Sequence, residues 1–140
     1  MVGLTILVVD DDPDVRTVLH ACLEGAGYVV VALNDGAAAR RFFEAGGRAA
    51  LILIDVVLPD ESGLALAGWI ARTFRLPIVL LSGEVDTFRR LEEQPYIRVG
   101  KPFRVPALLR LIAQEIAAAA PRPTIASGLV GVPRSSRVLG

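Results

Sequence analysis

The chain has 140 residues, 53% of them hydrophobic, which suits one domain with a substantial core. Fifteen basic residues balance 15 acidic ones, so no overall field selects nucleic acid or a membrane surface. The single cysteine, Cys22, excludes an internal disulfide.

The first apolar run, Leu4 to Val9, reads as a strand buried on both faces. It is too short to cross a bilayer and lacks the basic start and cleavage site of a signal peptide. A soluble, cytoplasmic protein is therefore expected. Asp10, Asp11 and Asp12 follow directly. Pro13 suits the first turn of a helix with Asp12 as its N-cap and Asp14 facing the helix dipole. Val15, Val18, Leu19, Cys22 and Leu23 recur at helical spacing, and Gly25 or Gly27 closes that helix. Tyr28 to Leu33 reads as a second strand. Asn34 or Asp35 caps a helix that runs to Glu44 and stops at Gly46-Gly47.

Ala50 to Ile54 is the third predicted strand and ends at Asp55. Leu58 to Gly63 is a loop by composition. Leu66, Trp69, Ile70 and Phe74 mark the next helix, and Pro77 to Leu81 a fourth strand ending at Ser82. A short helix is expected around Asp86 to Glu93, then a fifth strand, Tyr96 to Val99, ahead of Lys101. Pro106 opens a last helix, with Leu108, Leu111, Ile112 and Ile116 toward the core. From Pro121 onward the composition loses its helical period, so residues 1–120 are read as one domain and 121–140 as a flexible tail. Arg122, Arg134 and Arg137 make that tail basic, while every acidic residue precedes it. Alternating strands and helices of this kind imply a three-layer α/β/α sandwich around a parallel sheet.

The strand ends carry the chemistry, because ligands sit at the carboxyl ends of parallel strands. Asp10, Asp11 and Asp55 repel one another, and a divalent cation would neutralise them. All-oxygen ligands suit magnesium, with manganese as the alternative. Carboxylates also form aspartyl-phosphate intermediates. Phosphoryl transfer asks mainly for in-line positioning and neutralised equatorial oxygens, which the Lys101 ammonium, the Ser82 hydroxyl and the bare backbone N–H of Gly83 would supply. Lys101 is the only lysine among 15 basic residues, the rest being arginine. A compact ammonium on a flexible stem is not interchangeable with a planar fork. His20, Arg40-Arg41 and Arg89-Arg90 read as solvated side chains, Cys22 as a small core residue and Trp69 as a packing residue.

This ordered set resembles the receiver domain of two-component response regulators. Asp10-Asp11, then Asp55 with Pro59 and Gly63 at four-residue steps, then Leu81-Ser82-Gly83 and Lys101-Pro102-Phe103 all match, over residues 4 to about 118. The resemblance implies a flavodoxin-like five-stranded parallel sheet of order 2-1-3-4-5. It implies that Asp55 accepts a phosphoryl group from a histidine kinase or histidine phosphotransfer protein. Asp11, Asp55 and the Val57 carbonyl would hold magnesium directly, with Asp10 acting through a metal-bound water. Ser82 and Lys101 would take the phosphoryl oxygens. With residues 121–140 too short and too poor in periodic apolar residues to fold as an output domain, a single-domain signalling protein rather than an enzyme is expected, as a monomer or weak dimer. It would act on a downstream protein by contact, without nucleic acid or membrane insertion, and dock its donor along the first helix.

Three departures from the family pattern stand out. Arg98 occupies the usual aromatic switch position three residues before the lysine; either Tyr96, on the same face, partly replaces it and acts with Ser82, or the switch differs from the family's. Ser82 and Lys101 are close together in sequence, which implies a shortened fourth helix. Val57 is apolar where relatives carry a polar residue beside the attacking water. That predicts slow hydrolysis of the phosphoaspartate, partly countered by Glu84. Alternatives are a haloacid-dehalogenase-type phosphatase with Asp10 as nucleophile and Asp12 as its second acid, and a non-phosphorylated pseudo-receiver used for docking. A flavodoxin-type nucleotide module would instead need a glycine-rich loop where Asp10-Asp11-Asp12 stand.

Overall fold

The computed structural model describes residues 3–83 and 95–120. Its strands are β1 (Thr5–Val9), β2 (Val29–Leu33), β3 (Leu51–Asp55), β4 (Ile78–Ser82) and β5 (Ile97–Gly100). Its helices are α1 (Pro13–Gly25), α2 (Gly36–Glu44), α3 (Gly63–Thr73) and α4 (Val105–Ala119). All neighbouring strands pair in parallel, in the order β2-β1-β3-β4-β5. This is the order the family resemblance implied. The short helix expected around Asp86 to Glu93, Glu84 itself, and the tail from Pro121 lie outside the described residues. No helix among the described residues is long and apolar enough to cross a membrane.

Period-two alternation splits the central strands between two cores. Leu7, Val9, Ile52, Ile54 and Leu80 face α2 and α3, where Ala39, Phe43, Leu66 and Ile70 are buried. Ile6, Val8, Leu51, Leu53, Val79 and Leu81 face α1 and α4, where Leu19, Leu23, Leu108 and Ile112 close over them. Each buried Leu or Ile contributes about 1.5–3 kcal/mol relative to exposure. Because β1, β3 and β4 are covered on both faces, they read as unbroken apolar runs, whereas the edge strands β2 and β5 are only partly buried.

Some expectations shift. Strands β3 and β4 run one residue further than their apolar runs, since Asp55 and Ser82 still sit in register with Leu81 and Gly100. In α1 only Leu19 and Leu23 are buried. Val18 is 47% exposed and Cys22 only half-buried, so Cys22 is not a core residue. A turn of 3.6 residues sets Val18 about 100° around the helix from Leu19, away from the sheet. His20 is partly exposed, with Nδ1 3.5 Å from Glu24. Asp12 is the N-cap of α1, as read from the sequence, and Asp35 rather than Asn34 caps α2. Trp69 packs edge-on against Phe43 and Phe74.

Candidate functional site

The carboxyl ends of β1, β3, β4 and β5 converge. Asp10 follows β1 with its N–H on the Leu33 carbonyl, 3.0 Å. Asp55 ends β3, and the next residue, Val56, donates to Leu81 O at 2.9 Å. Lys101 leaves β5 with its N–H on Ser82 O, 2.8 Å. Backbone pairing therefore brings residues 46 and 91 positions apart into contact: the Lys101 ammonium donates to Asp55 Oδ2 at 3.0 Å and to Asp10 Oδ2 at 2.8 Å.

The remaining carboxylate oxygens are held by backbone. Asp10 Oδ1 accepts from Asp12 N at 2.9 Å, and Asp55 Oδ1 from Val57 N at 3.0 Å. Asp10 is fully buried and Asp55 nearly so, while Asp11 is exposed. One oxygen from each of Asp10, Asp11 and Asp55 can lie within 4.8 Å of the other two. Ser82 is buried at the same edge, and Gly83 beside it is exposed. A Cβ on Gly83 would make only ordinary contact with Lys101, 3.8 Å away, so packing alone does not demand glycine there.

Gly63 is different. A Cβ there would collide with the Asp55 carbonyl oxygen and lie 2.8 Å from Val56 Cα, while its N–H bonds Val56 O at 2.7 Å. A bridge between Val57 and Ser62 closes the same loop. The spacing from Asp55 to Gly63 thus reflects a loop folded back onto the strand that carries the carboxylate.

Charge in this pocket is unbalanced. Burial pushes the Asp55 carboxyl above its ordinary value and the Asp10 charge adds to that, against the Val57 N–H and Lys101. Burial alone would lower the Lys101 ammonium, but hydrogen bonds to Asp10 and Asp55, and their charges, hold it above its ordinary value. Among the described residues, one ammonium thus faces the Asp10 and Asp55 carboxylates with Asp11 beside them, while the Arg16 guanidinium donates to the Asp10 carbonyl at 2.7 Å. The donor set is entirely hard oxygen, clustered and under-neutralised, which fits a divalent cation of the magnesium type.

Other residues take the places expected or depart from them. Asp12 spends its carboxylate on the Asp14 N–H, 2.9 Å. Tyr96 packs against the core on the α2–α3 side, and Arg98 lies opposite Leu80 of that same core, so the two share a face. Val57 is 56% exposed. An open groove of about 500 Å³ runs beside Lys101, lined by Val15, Val18, Pro102 and Phe103 with Asp14 at its edge.

Sequence reasoning missed a second acidic cluster. Arg40 is not a free solvated side chain: its Nε and Nη2 donate to Glu61 at 2.9 and 2.7 Å, and it lies 4.8 Å over the Trp69 ring. Asp60 accepts from the N–H groups of Gly36 and Ala37, both at 2.9 Å. An Asp-Glu pair between a proline and a helix start was the available signal, but its partners lie over twenty residues away on another helix.

Residues 6–113 match the response regulator receiver domain family. The chain is 39% identical over 121 residues to the transcriptional regulatory protein GltR of Pseudomonas aeruginosa, covering 77% of this chain and 50% of GltR. It is 34% identical over 128 residues to the DNA-binding transcriptional regulator NtrC of Rhizobium meliloti, covering 89% of this chain and 26% of NtrC. The chain thus spans between about a quarter and a half of the length of these relatives. Among solved structures, response regulator TrrA of Thermotoga maritima, in complex with Mg(2+)-BeF, superposes with a TM-score of 0.71 at 29% identity, covering 79% of this chain and 97% of TrrA. With the acidic pocket, the strand order and these likenesses together, the chain belongs to the response regulator receiver domain family.

Proposed function

We propose that Asp55 is the phosphoacceptor of a magnesium-dependent transfer from a phosphohistidine on a sensor kinase or phosphotransfer protein. The observation that carries this reading is the Lys101 ammonium bridging Asp10 and Asp55 beside Asp11. In the transfer, Asp55 Oδ2 attacks phosphorus, the P–N bond breaks, and the imidazole nitrogen keeps the electron pair. The Val57 N–H holds Asp55 Oδ1 and so orients the attacking oxygen. Lys101 swings from its two carboxylates to the incoming phosphoryl oxygens, and Ser82 with the Gly83 N–H takes another. Asp11, Asp55 and the Val57 carbonyl would hold the cation, with Asp10 behind a bound water; the cation supplies neutralisation of the equatorial oxygens. TrrA, which carries Mg(2+)-BeF, supports the same pocket chemistry here.

Signal output follows from the added charge, which biases a two-state surface; Ser82 and Tyr96, with Arg98 in the usual aromatic place, form the switch. The exposed Val57 offers the hydrolytic water no polar guide on its side, so hydrolysis of the phosphoaspartate is slowed, with Glu84 partly countering this. The groove beside α1 supports donor docking there. The acidic balance of the chain before residue 121 supports protein partners for this region, in a cytoplasmic setting. Against the phosphatase reading stands Asp12, whose carboxylate is committed to the helix cap. Incubation with acetyl phosphate and magnesium, followed by mass spectrometry, should add one phosphoryl group to the wild type and none to Asp55→Asn. Absence of any gain in the wild type returns the chain to the pseudo-receiver reading.

A further inference from the structure

The loop after Asp55 is anchored at both ends, by unrelated means. Its near end is held by the strand: Val57 N–H on Asp55 Oδ1, the Val57–Ser62 bridge, and Gly63 N–H on Val56 O at 2.7 Å. Its tip is held by a different helix. Asp60 Oδ1 and Oδ2 accept from the Gly36 and Ala37 N–H groups at the start of α2. Glu61 takes the Arg40 guanidinium in a two-pronged ion pair, which geometry favours for arginine and carboxylate. Arg40 in turn covers the Trp69 ring on α3. The approach is close enough that a Cβ on Gly36 would collide with the Glu61 carboxylate.

Helix capping alone does not account for this arrangement. Helix α2 already has its own N-cap, Asp35, whose carboxylate accepts from Ala38 N at 2.8 Å. Asp60 is a second carboxylate on the same helix start, brought from 24 positions away. What the extra bonds add is a fixed position for the loop. The tip is joined through the Val57–Ser62 bridge to Val57, whose N–H holds Asp55 Oδ1 at 3.0 Å.

We propose that Asp60, Glu61 and Arg40 form a latch that positions the Asp55–Gly63 loop for cation binding. They are positioning residues, touching neither the cation nor the phosphoryl group. The inference rests on the proposed reading of the pocket as a magnesium site.

Charge reversal separates a latch from a simple electrostatic field. Glu61→Arg removes negative charge near the pocket, and Arg40→Glu adds it; a field acting alone would weaken magnesium binding in the first and strengthen it in the second. A latch predicts weakening in both, by about tenfold, the lower range for outer-shell partners of metal ligands. The double variant Arg40→Glu with Glu61→Arg restores the pair and the net charge, and should bind within about twofold of wild type. The measurement is isothermal titration calorimetry with magnesium chloride on the full chain, at a temperature where circular dichroism shows each variant folded. Arg48→Gln, which removes another arginine stacked on a ring, Phe74, should leave the affinity unchanged. Opposite signs in the two single variants, or a double variant as weak as either, overturn the latch alone. A wild type that binds no magnesium overturns the pocket reading and the latch together.

Discussion

Two acidic clusters lie at opposite ends of one short loop, and they differ in how their charge is met. At the strand end, Asp10 and Asp55 are buried, adjacent, and share a single ammonium. At the loop tip, Asp60 and Glu61 have partners for both carboxylates: two helix N–H groups and a guanidinium. The side-chain chemistry is nearly the same, but the surroundings are opposite. Among the described residues, each pair has one side-chain cation within reach, but Asp60 is exposed and Glu61 half-buried, whereas Asp10 and Asp55 are buried with a third carboxylate, Asp11, beside them. We propose that the loop-tip cluster acts as a fastener and the strand-end cluster takes up a cation and a phosphoryl group. Burial and a third carboxylate, rather than the number of cations, set the two clusters apart.

The largest test of this contrast is removal of the shared ammonium. Lys101→Met keeps the stem and deletes the charge, leaving Asp10 and Asp55 facing each other. Breaking a buried ion pair from one side costs about 3–5 kcal/mol; because Lys101 is partly exposed, about 2–4 kcal/mol is expected at neutral pH, read by urea denaturation. Magnesium should recover part of the loss. Next comes Gly63→Ala, where the new methyl meets the Asp55 carbonyl. Backbone has to move, at a cost of about 1–3 kcal/mol, and phosphoryl labelling of Asp55 should slow as the carboxylate is displaced. At the loop tip the corresponding deletion is milder. Arg40→Gln loses a surface ion pair and a ring contact, together about 1 kcal/mol. Equal losses for Lys101→Met and Arg40→Gln would erase the distinction between the clusters.

The two clusters also differ in how legible they are. Asp10, Asp55 and Lys101 stand at the ends of apolar runs, and a strand buried on both faces declares itself by composition. The rule that ligands gather at the carboxyl edge then places those residues together without knowing any distance. Asp55 and Ser82 proved to be strand residues because ladder pairing depends on backbone, which hydropathy does not see. Arg40 and Glu61 carry no such signal. Their meeting depends on how α2 sits relative to the β3–α3 loop, a matter of layer packing that no local pattern encodes. Cys22 departs from its reading as a core residue for a related reason: an apolar stripe on a helix can be wider than the strip of sheet available to cover it.

The subtlest effect is read in pH while the fold stays intact. Asp60 accepts two helix N–H groups, which hold its carboxyl below the usual carboxylate value. Burial and the Asp10 charge hold Asp55 above it. The linkage signs are therefore opposite. Asp60 contributes stability that is present above its unfolded value and is lost as pH falls through its folded value. Asp55 binds its proton more tightly folded than unfolded, so its contribution improves as pH falls through its folded value toward the unfolded one. Carbon-detected NMR of the side-chain carboxyls should resolve Asp55 titrating at higher pH than Asp60. Magnesium should move the Asp55 midpoint down, because cation and proton compete for the same oxygens, and leave Asp60 nearly still. If both carboxyls titrated together, or if magnesium shifted Asp60 as much as Asp55, the unmet charge would not be confined to the strand end, and the division between fastener and reactive pocket would be wrong.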